Sequence, residues 1–98
     1  MSKPLIICLC GSTKFREEYR RENCRLTFEG KIVLSCGCFK DDPEWGTAPK
    51  NMLDELHKRK IDLADEVFVI NVEGYIGEST RSEIEYAKQH GKLVRYLE

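Results

Sequence analysis

The sequence predicts a single doubly wound α/β domain, with about four parallel strands and helices on both faces. Three observations predict it. Leu5-Ile6-Ile7-Cys8-Leu9-Cys10 and Val67-Phe68-Val69-Ile70 are unbroken apolar runs of strand length, as expected of strands buried on both faces. Helical patterns alternate with the strand-like runs in the order β-α-β-loop-α-β-α-β. The chain has 98 residues, enough for one domain spanning 1–98, and it shows no linker, repeat or low-complexity tract.

The first strand is closed by Gly11. Ser12 or Thr13 is placed to cap the helix that follows. Phe15, Tyr19 and Leu26 lie on one side of that helix, and Gly30 stops it. Lys31-Ile32-Val33-Leu34-Ser35-Cys36 reads as the second strand. A loop from Gly37 to Gly46 carries Phe39, Asp41, Asp42, Pro43 and Trp45. Thr47, with Pro49 just inside, marks a second helix start, with Leu53, Leu56, Ile61 and Ala64 as its apolar stripe. Glu66 to Asn71 is the third strand. Thr80 to His90 is the third helix, ended by Gly91, and Lys92 to Leu97 is the last strand.

Composition narrows the function classes. Sixteen basic and 17 acidic residues leave a net charge of −1, which argues against a broad basic face for a nucleic acid polymer. No apolar run approaches about 18 residues, so no membrane span is expected. Met1-Ser2-Lys3-Pro4 runs straight into a strand without the apolar core of a signal peptide, and a cytoplasmic location is expected. A domain this small buries only about 60–65 % of its unfolded surface, so a homodimer or larger assembly is expected.

The five cysteines, Cys8, Cys10, Cys24, Cys36 and Cys38, read as reduced thiols serving as small apolar residues. Cys8-Leu9-Cys10 and Cys36-Gly37-Cys38 on neighbouring strand ends could gather four thiolates around zinc or an iron–sulfur cluster. However, Cys-x-Cys in a strand lacks the usual two-residue knuckle. The expectation is no metal and no cofactor.

Ligands of open α/β sheets bind beyond the carboxyl ends of the strands, where strand order reverses. An order of 2-1-3-4 puts the reversal between the first and third strands. Gly11-Ser12-Thr13 and the Asn71 to Thr80 segment would then meet at one crevice, each offering backbone N–H groups and hydroxyls to an anion or a sugar. Simple turn-and-cap chemistry is the alternative reading of Gly11-Ser12-Thr13, but two such turns in one crevice favour binding. Phe39 or Trp45 could add a stacking surface for a base. No GxGxxG and no P-loop pattern is present, which counts against a dinucleotide and an ATPase.

Glu83 has two readings. Thr80-Arg81-Ser82-Glu83 has the spacing of a capping box. Yet Glu83 lies beside Ile84 and one turn before Ala87, at the edge of the sheet-facing stripe. That aims it at the crevice, where a half-buried carboxylate can act as nucleophile or acid–base group. Glu78 and Glu85 are nearby alternatives, with Glu85 expected to face water. His57, four residues from both Leu53 and Ile61, reads as a hydrogen-bonded core or edge histidine, or else as a group that positions a substrate hydroxyl. Asp65 reads as a turn residue, and His90 as a complement to a helix C-terminus.

The pieces together resemble the nucleoside 2-deoxyribosyltransferase-like superfamily, which includes deoxyribosyltransferases and nucleoside-monophosphate N-glycosidases. The matching residues are the strand ending Cys10-Gly11-Ser12, the Ala64-Asp65-Glu66-Val67-Phe68-Val69 strand, and Ser79 to Ala87 with Glu83-Ile84-Glu85-Tyr86-Ala87. In that family the last segment reads roughly Glu-Leu-Gly-Tyr-Ala, and its Glu is the nucleophile. The resemblance therefore implies Glu83 as nucleophile toward a nucleoside or nucleoside 5′-monophosphate, without a cofactor. It implies that Gly11, Ser12 and Thr13, with Gly77, Ser79 and Thr80, hold the sugar or 5′ group. Tyr19, His57 and Asn71 would hold sugar hydroxyls or Glu83 itself. Glu85 stands where the family often has Gly, and His57 where nucleotide-hydrolysing relatives carry a sugar-contacting Asp. The alternative is a nucleotide-binding module on the same fold without catalysis.

Overall fold

The computed structural model describes residues 3–47 and 49–98. The reading of the chain's start falls partly on Met1 and Ser2, which lie outside the described residues. Four strands, β1 (Ile6–Gly11), β2 (Ile32–Leu34), β3 (Glu66–Ile70) and β4 (Leu93–Tyr96), alternate with three helices, α1 (Arg16–Phe28), α2 (Lys50–Leu63) and α3 (Glu78–Gln89). All pairings are parallel and the order is β2-β1-β3-β4, the flavodoxin-like arrangement expected from the sequence. Among the described residues, no helix is long and apolar enough to cross a membrane.

Strand alternation sends the two apolar faces of the sheet to different partners. Cys8, Cys10, Val67 and Val69 face α2 and α3, where they pack with Ile61, Ala64, Ile84 and Ala87. Ile7, Leu9 and Ile70 face the α1 side, where they pack with Tyr19 and Leu26. The edge strands β2 and β4 are short and half exposed, which limits pairing with other chains. At the amino end of the sheet, Asp65 Oδ2 accepts from the Ile6 N–H at 2.8 Å, so this turn residue also ties β3 to β1.

Four local expectations are corrected. The α1 helix begins at Arg16 with Phe15 at its N-cap, so neither Ser12 nor Thr13 caps it; they form a turn in which the Phe15 N–H bonds the Ser12 carbonyl at 3.1 Å. The second helix starts after Pro49, and the Thr47 hydroxyl donates to the Glu44 carbonyl instead of capping it. Leu56 is 50 % exposed, because the face of α2 that meets the sheet runs through His57, Ile61 and Ala64, with Leu56 one helical step (about 100°) off that face. Finally, α3 begins at Glu78 after Gly77, two residues earlier than expected. Glu83 is then the sixth helical residue, too far inside to close a capping box with Thr80.

The end of the chain is locked to the β3–α3 connection. Asn71 Nδ2 donates to the Glu98 carbonyl at 3.1 Å, and the Glu98 N–H returns a bond to Asn71 Oδ1 at 2.9 Å. Asn71→Ala is expected to cost about 1–2 kcal/mol, the loss of two part-buried bonds. Thermal melts check this, and an unchanged melting temperature would show that the lock contributes nothing.

Candidate functional site

The site lies at the carboxyl ends of β1 and β3, on both sides of the reversal in strand order. Gly11 pairs with Ile70 there. The two connections leaving this point meet above the strands: Lys14 Nζ sits 3.8 Å from the Tyr75 ring centroid, and the Phe15 and Tyr75 rings pack edge to face at 6.0 Å. The β1–α1 turn also borders a cleft of about 240 Å³ lined by Thr13, Lys14, Arg16, Lys40 and Asp41. Three cations and one carboxylate make its charge net positive.

On the face of the sheet that meets α2 and α3 the structure gathers four polar side chains. Glu83 and His57 are each 8 % exposed, while Cys8 and Cys10 are fully buried. His57 Nε2 lies 3.8 Å from Glu83 Oε1, 3.6 Å from Cys8 Sγ and 3.4 Å from Cys10 Sγ. Each element supplies its member for a simple reason. Cys8 and Cys10 share the face of β1 that meets α2 and α3, His57 belongs to the buried register of α2, and Glu83 precedes Ile84 on the inward face of α3.

Their ionisation reflects crowding in a dry place. Burial pushes the Glu83 carboxyl above the ordinary range, against the opposing pull of His57 and Cys10. Burial alone would lower the His57 value, but the Cys8 contact and the Glu83 charge turn the net shift upward. The neighbouring Cys10 thiol and, to a lesser degree, His57 pull Cys8 down to about 5 despite its burial. The neighbouring Cys8, together with burial, pushes Cys10 well up.

The other candidate residues divide by what holds them. Ser12 and Thr13 are half-buried in the β1–α1 turn, and Ser12 Oγ accepts from the Lys14 N–H at 3.3 Å. Gly77 stands at the α3 N-cap, Ser79 Oγ accepts from Lys50 Nζ at 2.9 Å, and Thr80 is buried. The Tyr19 hydroxyl donates to the Gly11 carbonyl at 2.9 Å from a buried ring, which supports the turn from below. Both amide atoms of Asn71 are committed to Glu98. Phe39 packs edge to face on Tyr19 at 5.3 Å with Arg16 over its ring, whereas Trp45 is 40 % exposed. Glu78 and Glu85 are exposed. His90 closes α3, with Nδ1 on the Tyr86 carbonyl at 2.9 Å.

The four-cysteine cluster does not form. Cys36 packs on the α1 side of the sheet with Ile7 and Leu9, opposite Cys8 and Cys10. What the sequence reading missed is that β1's inward thiols meet His57. Each register was readable by itself, 8/10 on the strand and 57/61/64 on the helix, but nothing local says that the two meet.

Fold and cluster together define a small flavodoxin-like α/β domain with a carboxylate, an imidazole and two thiols gathered at its strand-order reversal. No protein-family model matches the chain, and no curated protein matches it.

Proposed function

We propose that the domain cleaves or transfers the N-glycosidic bond of a nucleoside or nucleoside 5′-monophosphate, with Glu83 as the nucleophile. The observation that carries this reading is the position of Glu83. It is a carboxylate well inside α3, not a cap, 8 % exposed and beside the strand-order reversal. A carboxylate so placed is stripped of most of its water, which raises its reactivity toward an electrophilic carbon. The resemblance of Glu83 to Ala87 to the deoxyribosyltransferase-like motif supports the same residue.

In this reading the Glu83 carboxylate attacks the anomeric carbon as the base leaves, through an oxocarbenium-like transition state. Water, or a second base, then takes the sugar from Glu83. His57, 3.8 Å away, orients the carboxylate. Ser12, Thr13, Gly77, Ser79 and Thr80 border the place for the sugar and its 5′ group. The positive cleft beside Thr13 favours a 5′-monophosphate over an uncharged nucleoside. A second copy of the chain is the partner this reading carries, as suits a domain this small.

The test is free-base release from a panel of nucleosides and their 5′-monophosphates, followed by liquid chromatography with and without an acceptor base. Release, with monophosphates preferred, is the expected result. Silence across the panel, combined with a rise in melting temperature on adding one of the nucleotides, would favour the non-catalytic binding module.

A further inference from the structure

The glycosidic reading employs Glu83 and His57 and gives the two thiols beside them no work. Cys8 Sγ, Cys10 Sγ and His57 Nε2 all lie within 4.8 Å of one another. A tetrahedral zinc ion, with bonds of about 2.3 Å to sulfur and about 2.0–2.1 Å to nitrogen, holds those two atom types roughly 3.6 Å apart. The separations here are 3.6 Å for Cys8 and 3.4 Å for Cys10, so both edges already have that length. Glu83 Oε1 is 3.8 Å from the same nitrogen but lies outside the set of atoms mutually within 4.8 Å, so among the described residues the fourth corner has no protein donor in place. The donors are two thiols and an imidazole on a floor of Ile61, Ala64, Val67 and Val69, which suits a soft or borderline ion and not magnesium or calcium.

We propose that Cys8, Cys10 and His57 bind one thiophilic metal ion of the zinc class, with the fourth position open to water. Binding needs both sulfurs as thiolates, so whatever proton the pair still holds leaves to solvent, and the two thiolates balance a divalent charge. The ion ties β1 to α2 at the point where the sheet reverses. The metal site stands whether or not the glycosidic reading does, because its test reads thiolate bonds and not turnover.

The experiment is an anaerobic titration of the reduced, chelator-treated full chain, made without a histidine tag, with Co(II). One equivalent should produce a thiolate-to-cobalt charge-transfer band and the intense visible bands of a tetrahedral site, and one equivalent of Zn(II) should erase them. The triple variant Cys24→Ser, Cys36→Ser, Cys38→Ser leaves Cys8 and Cys10 as the sole thiols and should keep both spectrum and stoichiometry. His57→Gln should weaken zinc at least about tenfold, since even loss of an outer-shell partner does that much. Absence of the charge-transfer band in the wild-type protein overturns the proposal. So does its loss from the triple variant while circular dichroism still reports a folded domain. If the triple variant does not fold, His57→Gln decides, and undiminished zinc affinity there overturns the proposal.

Discussion

Glu83→Gln is expected to lower base release by at least about 10³-fold while the protein melts no lower than wild type at pH 7. Glutamine keeps the shape of the side chain without its charge, but its amide cannot form the glycosyl ester. The stability half of the expectation follows from burial. Glu83 is 8 % exposed, and an ionised carboxylate in that position has given up most of its hydration. His57 at 3.8 Å compensates only in part. A carboxylate kept for stability would behave in the opposite way, its replacement lowering the melting temperature and leaving turnover where it was. Measuring both quantities on one preparation separates the two roles. Unchanged base release from Glu83→Gln would remove Glu83 as nucleophile whatever the melt shows.

The parts of this architecture that depend on apolar pattern were legible in the sequence. Leu5 to Cys10 and Val67 to Ile70 could be placed as central strands because strands covered on both faces must be apolar throughout. The order 2-1-3-4 was a supposition attached to the doubly wound class, and the crevice between β1 and β3 depended on it; the structure has that order. Helix starts were misread for one common reason. Ser12, Thr13, Thr47 and Thr80 have the chemistry of N-caps, but the structure begins α1, α2 and α3 after Phe15, Pro49 and Gly77, and no side chain caps them by a hydrogen bond. Cap residues report a local preference of about 1 kcal/mol, which tertiary packing overrides. The gathering of Cys8, Cys10, His57 and Glu83 was half legible. Each could be assigned a face of its own element. Their meeting depends on how α2 crosses β1, a long-range packing result that no local pattern encodes.

Gly11→Ala is expected to destabilise the domain by about 2–4 kcal/mol, since two separate strains act at that residue. Its φ of +153° belongs to a region that side chains other than glycine rarely adopt. A Cβ built there would also stand 2.7 Å from the Ile70 carbonyl oxygen and 3.0 Å from Ile70 Cβ. The first obstacle is backbone, and it cannot move aside without opening the Gly11–Ile70 pair that ends the β1–β3 ladder. The Gly11 carbonyl is also held by the Tyr19 hydroxyl at 2.9 Å, so rotation of this peptide would strip a buried hydroxyl of its acceptor. In a domain of this size the loss corresponds to a drop in melting temperature of roughly 10 °C or more. Gly37→Ala is the matched control: a Cβ there meets nothing within 4 Å, and the change should stay within about 0.5 kcal/mol of wild type. Equal melts for the two variants would mean that the end of β1 yields at little cost. The close approach of β1 to β3 would then not be what holds the β1–α1 turn, and that turn would have to be fixed from above, by Lys14 and Phe15 against Tyr75.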